Sequence, residues 1–536
     1  MMVVQALFRL GMAWMGLNST WSPLADRPVS SCPDYTTYSA SAQGNPSNGV
    51  LALPYMRPAP ACRTFNSTSV ERVIEDMNLL LRDPDLARLF ENTFANTLDT
   101  TVKYLNVSLT RADTTVKYFN KSENIAFIIT GVIMPIPPTP RILSTIPGYH
   151  CSVVERHGQP DDDLAALVRA VINTEAGFIS QFPYCRGAFQ PPTQTGLSPS
   201  HNDWADHVVV NPPIDDNVVF ECKYELDSLA GFLKLSRQYY EGTRDSTFMD
   251  EEWFSAIEAI FRVIEEQSRA TFDEDGKLVS FYNWTGTAGS LSPRVPNGGN
   301  GEPKGYTGMV GTHHRPSDDL STFAFLTPAN AMLSVELDGL AHMLDSVALR
   351  PDLSSTAKLV AGRIRDSIWS KTVLDGIFAY ESNGLGSVYM MDDANVPSLL
   401  SLPYLGFVDK HDPTYRSTRR FLLSRQNPYF ASGSNFSGIG GPHSDAWHPW
   451  PMSLISGIFG TNDDQEISEM LYLIANNTAG LGLIHESQSI YDQSDYTRSW
   501  FAWANSYFAE MILDLAHRKP QLILKGNGPY MPSQIC

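Results

Sequence analysis

With 536 residues, 43% of them hydrophobic and 18% charged, the chain has the composition of a large globular protein and not of a disordered one. A formal charge of -19 and an isoelectric point near 5.0, without a long Lys/Arg run, exclude a basic nucleic-acid-binding surface and favour a neutral substrate. No segment approaches the roughly 18 to 20 consecutive apolar residues that cross a bilayer, so no stable membrane insertion is expected.

The first residues, Met1 to Leu17, form an apolar stretch interrupted by Gln5 and Arg9, and residues 1–30 read as a targeting segment of poor form. Residues 31–65, rich in Pro, Ser and Gly, read as an extended arm, 66–525 as one domain and 526–536 as a tail. Asn-x-Ser/Thr sites at Asn18, Asn66, Asn106, Asn120, Asn283, Asn435 and Asn476 point to the secretory pathway or the cell exterior. The 6 cysteines permit up to three disulfides, with Cys32–Cys62 the favoured pair, and they lack the Cys-x-x-Cys spacing of a zinc site.

Helical periodicity begins at Val70, Val73, Ile74, Met77 and Leu80 and recurs over 164–180, 223–240, 250–266, 329–347, 354–371, 414–424, 464–476 and 498–515. Shorter candidates lie at 85–104, 396–406 and 449–459, giving about a dozen helices in all. Strands are few and short. Helices joined by long polar loops predict an all-α fold, six hairpins closed into an (α/α)6 barrel with loops converging on a cleft at one end. Two segments break the pattern. The octapeptide Asp99 to Asn106 recurs almost unchanged as Asp113 to Asn120, a single tandem copy and not a solenoid repeat. Val132 to His150 is too rich in proline to continue a helix.

Two acidic motifs fall in the predicted loops. Arg315-Pro316-Ser317-Asp318-Asp319 precedes the helix near Pro328, and His485-Glu486-Ser487 follows an apolar run and precedes the helix over 498–515. Breaking a glycosidic bond takes one carboxylic acid to protonate the leaving oxygen and one carboxylate to activate water, so two environments must hold their pKa values apart. Adjacent aspartates raise each other's pKa, while Arg315 opposes that. Asp318 or Asp319 is therefore the candidate acid and Glu486 the candidate base. Each motif alone is more often a helix cap or a solvated loop residue than a catalytic one; their conjunction carries the expectation. A metal site built from His313, His314, Asp318 and Asp319 is a third reading that such adjacent ligands disfavour.

The segments RDPDLARLFENTF, AFIITG, AFQPP, FECKYELDSL, TGMV with RPSDD, FLTPANAM, DDANVPSLLSLPYLG, GIGGPH and HESQSIYDQSDYTRSWFAWANSYFAE together resemble glycoside hydrolase family 125, particularly its fungal exo-α-1,6-mannosidases, from about Ser69 to Leu524. The resemblance implies an (α/α)6 barrel, metal-independent and cofactor-free hydrolysis with inversion, and a mannose-containing glycan as partner. It places the general acid in the Asp318–Asp319 pair and the base at Glu486. Arg315, His443 and His485 would orient sugar hydroxyls, Glu225 and Asp227 would line the cleft, and Trp500 or Trp503 would offer an apolar platform. After AFIITG the family continues with an acidic residue and a Trp-Leu-Arg-Asp segment that grips the terminal mannose, whereas this chain reads Val132 to His150. Gly311-Thr312-His313-His314 and the Cys-Arg-Gly before AFQPP are further departures. The alternative expectation is thus a catalytically impaired homologue that at most binds mannosides, with the substituted segments arising from a translated intron or a shifted frame.

Overall fold

The computed structural model describes residues 45–60, 63, 66–100, 162–185, 189–190, 208–286 and 295–531. The octapeptide copy after Thr100, the proline-rich Val132 to His150, and Cys32 and Cys62 lie outside them.

The main helices are α1 (Thr68–Leu80), α2 (Pro84–Phe94), α3 (Asp162–Gln181), α4 (Leu226–Thr243), α5 (Glu251–Ser268), α6 (Thr327–Val347), α7 (Pro351–Lys371), α8 (Pro413–Leu422), α9 (Pro451–Phe459), α10 (Asp464–Ala475) and α11 (Ala502–Arg518). They fall into two classes, told apart by which faces are buried. On α1 only Val70, Val73, Ile74 and Met77 are buried, a single stripe, whereas α4, α6, α9 and α11 are buried on nearly every face. The second class forms an inner layer: α4 packs on α6, and α11 on α9. Along the chain, outer and inner helices alternate as α3 then α4, α5 then α6, α8 then α9, and α10 then α11, with α7 packed on α6. This is the all-α, paired-helix architecture expected from the periodicity.

Where a short helix was expected, over 396–406, the chain makes turns instead. Asp392 accepts from the backbone N–H groups of Leu399 and Leu400 at 2.8 and 2.9 Å, and Ser398 and Ser401 exchange hydrogen bonds with each other's backbone. Pro397 and Pro403 supply no N–H for a helical ladder. The leucines still face inward: Leu399, Leu400, Leu402 and Leu405 are buried, so the apolar signal was real and only the backbone reading needed correction.

Beginning and end of the fold meet. Arg82 N donates to Ile523 O and Lys525 N to Leu80 O, while Asn505 at the start of α11 bonds Asn96 just past the end of α2, so those two helices run antiparallel side by side. Residues 45–60 lie against α1 and α2, where buried Arg57 pairs with Asp99 and Glu71. Cys185 after α3 and Cys222 before α4 form a disulfide not anticipated from the sequence, and it accounts for the cysteine in the atypical Cys-Arg-Gly.

The candidate active site

How the helices begin decides where the chemistry sits. The outer helices α1, α5, α8 and α10 open on Ser67, Asp250, Asp412 and Asp463, whose side chains cap their first N–H groups; Asp83 does the same for the largely buried α2, while Arg350, ahead of the outer α7, gives no side-chain cap. The inner helices α4, α6, α9 and α11 follow Glu225, Leu326, Trp450 and Phe501, none of which supplies a side-chain cap. Their N-terminal ends, carrying the positive end of the helix dipole, open onto the loops that hold the candidate residues, apart from Asp227 in the first turn of α4 and Trp503 in that of α11.

The Arg315–Asp319 loop is a closed turn: Arg315 N donates to Asp319 O at 2.8 Å and Asp318 N to Arg315 O at 3.0 Å. Asp318 takes a positive φ of 74°, a conformation Asp tolerates better than most residues and one that concentrates at functional sites. Arg315 was expected to reach a sugar hydroxyl; instead it is 2% exposed, with Nε 2.6 Å from Glu381 Oε1 and its guanidinium beside the rings of Tyr380 and Tyr389. It braces the turn from below. Asp319 accepts from Ser317 Oγ at 2.7 Å and lies 3.6 Å from His443 Nδ1. Burial alone would raise its carboxyl, but the neighbouring His443, the hydrogen bond from Ser317 and the charge of Arg315 hold it below its ordinary value.

Glu486 is buried apart from a side-chain edge, and Arg498 Nε donates to its Oε2 at 3.0 Å. A short hairpin pairs Ser487–Gln488 with Tyr496–Thr497 and fixes the direction in which Glu486 emerges. His485, expected to orient a hydroxyl, is buried beneath that hairpin: its Nδ1 meets Arg498 O at 2.9 Å and its ring stacks on Tyr496 at 3.8 Å. Burial pushes its pKa down.

These two loops belong to one cluster. From Asp319 the contacts run to His443, then edge-to-face onto Trp450 at 5.9 Å, onto Phe501 at 5.9 Å, under the guanidinium of Arg498 at 5.7 Å, and so to Glu486. Gln488 N also donates to Pro449 O, tying the Glu486 hairpin to the loop that carries His443. Glu225 and Asp227 come from the same end, since Leu226 N donates to Thr312 Oγ1 and both His313 N and His314 N to Tyr224 O. Both carboxylates are buried at the head of α4. Trp500 is half-buried in the loop ahead of α11 and Trp503 is a core residue inside it, so the two do not share a helical face.

The residues of the third reading point elsewhere. His313 Nε2 meets Gly299 O at 3.0 Å in a crevice lined by Glu266, Gln267, Tyr282 and Lys304, and burial takes its pKa down to about 4. His314 is buried edge-on to Trp284. Among the described residues no group of three His, Cys, Asp or Glu side chains is arranged to hold a metal ion.

Sequence reasoning missed three contributors: Glu381, Arg498 and Asp393. Arg498 and Asp393 sit in quoted segments, so their presence was visible; their approaches to Glu486 and Ser317 were not.

The family model described as "Metal-independent alpha-mannosidase (GH125)" matches residues 83–513. The chain belongs to glycoside hydrolase family 125. As a member of that family it is a glycoside hydrolase of mannosidase type. The Meiotically up-regulated gene 157 protein of Schizosaccharomyces pombe is 43% identical over 508 residues, covering 93% of this chain and 95% of that protein. A metal-independent α-mannosidase of Streptococcus pneumoniae, solved as a non-productive complex with α-1,6-mannobiose, superimposes with a TM-score of 0.70 at 24% identity, over 84% of this chain and 99% of the other. That likeness establishes the fold as the (α/α)6 type.

Proposed function

We propose that this family 125 member is an exo-acting α-mannosidase that removes terminal mannose from glycans, with preference for the α-1,6 bond, by a single inverting displacement. The observation that carries the reading is the continuity of the Asp318–Asp319 turn with the Glu486 hairpin through His443, Trp450, Phe501 and Arg498. The mannobiose in the Streptococcus pneumoniae complex supports the linkage.

Asp319 is surrounded by donors that favour its ionised form, which suits a residue accepting hydrogen bonds from a sugar better than one donating a proton. Asp318, projected by its left-handed backbone, is then the general acid. Glu486 takes a proton from water as the water oxygen bonds to the anomeric carbon. On the opposite face the glycosidic C–O bond breaks and Asp318 gives its proton to the departing oxygen. Such a displacement needs carboxyl groups about 6.5 to 9.5 Å apart. The test is hydrolysis of a synthetic α-mannoside by the wild type and by Glu486→Gln, with the first-formed anomer identified by NMR. The proposal expects β-mannose first and a loss of about a hundredfold or more in the variant; equal rates for the two proteins remove it.

The proline-rich Val132 to His150 favours a second reading, in which the chain binds mannosides without turning them over. Loss of gripping groups removes binding energy that would otherwise distort the substrate, lowering turnover as well as affinity. A mannoside bound by a wild type with no hydrolysis identifies this case, and a spliced transcript without the segment assigns it to the gene and not to the enzyme.

The Cys185–Cys222 disulfide and the seven glycosylation sites support a place in the secretory pathway. Glycosidase-sensitive mass on the native protein checks it.

A further inference from the structure

Asp393 faces the same hydroxyl as Asp319. Ser317 Oγ lies 2.7 Å from Asp319 Oδ2 and 3.2 Å from Asp393 Oδ2. A serine hydroxyl has one hydrogen to donate and two lone pairs. Spent on the shorter contact, that hydrogen leaves a lone pair of Ser317 opposite an oxygen of Asp393, a repulsive arrangement in a buried site unless Asp393 contributes a hydrogen of its own.

Burial and the nearby Asp319 act in the same direction. Asp393 is 2% exposed, its Oδ1 accepts from Asn395 N and Nδ2 at 3.2 and 2.9 Å, and the Gly441 backbone packs so closely that a Cβ there would lie 3.0 Å from Oδ1. The ionisable groups facing it are Arg315, Asp319, Asp392, Tyr380 and Tyr429, and the Arg315 cation is committed to Glu381. Burial raises the Asp393 carboxyl, and the repulsion from Asp319 adds to it against the opposing effects of Arg315 and Asn395.

We propose that Asp393 is a positioning residue that stays protonated and donates to Ser317, which donates to Asp319, so that one directed chain of hydrogen bonds across two loops holds the turn bearing Asp318. The inference rests on the reading of that turn as the site of the general acid.

The experiment measures thermal unfolding midpoints of the wild type and Asp393→Asn from pH 4 to 8, with kcat and KM for an aryl α-mannoside in parallel. A carboxyl whose pKa is raised by folding contributes stability that is present below its unfolded value and lost as pH rises toward its folded one. An Asn has no proton to lose, and its amide still donates to Ser317. The midpoint of Asp393→Asn relative to wild type therefore climbs with pH, and Asp393→Asn recovers most of the roughly tenfold or greater drop in kcat that Asp393→Ala suffers from a displaced turn. A midpoint difference that is flat or falls with pH overturns the assignment, as does an Asn variant no better than Ala. Should the wild type hydrolyse nothing while the midpoint difference still climbs, the hydrogen-bond chain stands and the mannosidase reading fails. As a check needing no variant at 393, Ser317→Ala shifts a protonated-carboxyl band in the infrared spectrum to higher frequency; an unchanged band also overturns the proposal.

Discussion

At the scale of single residues, Asp318 and Asp319 are sequence neighbours, both half-buried, that differ in backbone and partners. Asp319 accepts a hydrogen bond from Ser317 and lies 3.6 Å from His443, while Asp318 sits at a φ of 74°. On the proposed assignment, one turn would supply both an acid, Asp318, and a hydrogen-bond acceptor, Asp319. The division predicts a leaving-group signature. Asp318→Asn loses about a hundredfold or more in kcat on a mannobiose, whose departing alkoxide needs a proton, but far less on a dinitrophenyl mannoside, whose leaving group departs unaided. Asp319→Asn is expected to weaken both substrates alike and mainly through KM, since a sugar contact is made in either case. Steady-state kinetics on the two substrates decides it, and a reversed pattern exchanges the roles.

At the scale of elements, the turn is held by a buried ion pair that joins two of them. Glu381, in the short sheet formed by Phe325–Leu326, Glu381–Ser382 and Val388–Tyr389, accepts from Arg315 Nε and from the backbone N–H groups of Thr322 and Phe323. Removing one partner of such a pair strands the other, so Glu381→Ala is expected to cost about 3 to 5 kcal/mol, read as a shift in the urea midpoint. Replacing both partners at once, with Arg315→Met and Glu381→Leu, recovers part of that stability because no charge is left buried, though the Thr322 and Phe323 N–H groups lose their acceptor. Activity does not return with it, since the apolar pair no longer braces Asp318. The same elements show what could be read from sequence. Outer helices were legible through stripes such as Val70, Val73, Ile74 and Met77, and the motif loops through their position ahead of inner helices. The 396–406 segment misled because Leu399, Leu402 and Leu405 carry inward burial whether the backbone coils or turns, and only Asp392, binding two N–H groups from outside the segment, decides between them. Arg315 and His485 misled in another way: charged or polar side chains beside an acidic motif read as substrate contacts, and their burial depends on Glu381 and Tyr496, partners that no local pattern announces.

At the scale of the whole molecule, the inner ring is assembled from distant pieces of chain, and its stability depends on keeping long connections short in reach. Between α3 and α4 the chain passes through 186–221, and the Cys185–Cys222 bond closes that excursion at a sequence separation of 37. Cross-linking the unfolded chain over a loop of this length removes conformational entropy worth about 2 to 4 kcal/mol of stability. The bond also anchors Cys222 two residues before Tyr224, whose backbone carbonyl accepts from His313 and His314 at the base of the Arg315–Asp319 turn. A Cys185→Ser, Cys222→Ser double variant is therefore expected to unfold at lower urea than the wild type under non-reducing conditions. Reductant brings the wild-type midpoint down to that of the variant and leaves the variant unmoved. Single Cys→Ser variants match the double one, because each already lacks the bond. Equal midpoints for wild type and double variant without reductant mean that the two sulfurs are not joined in the folded protein, and the support the bond lends to a secretory location goes with it.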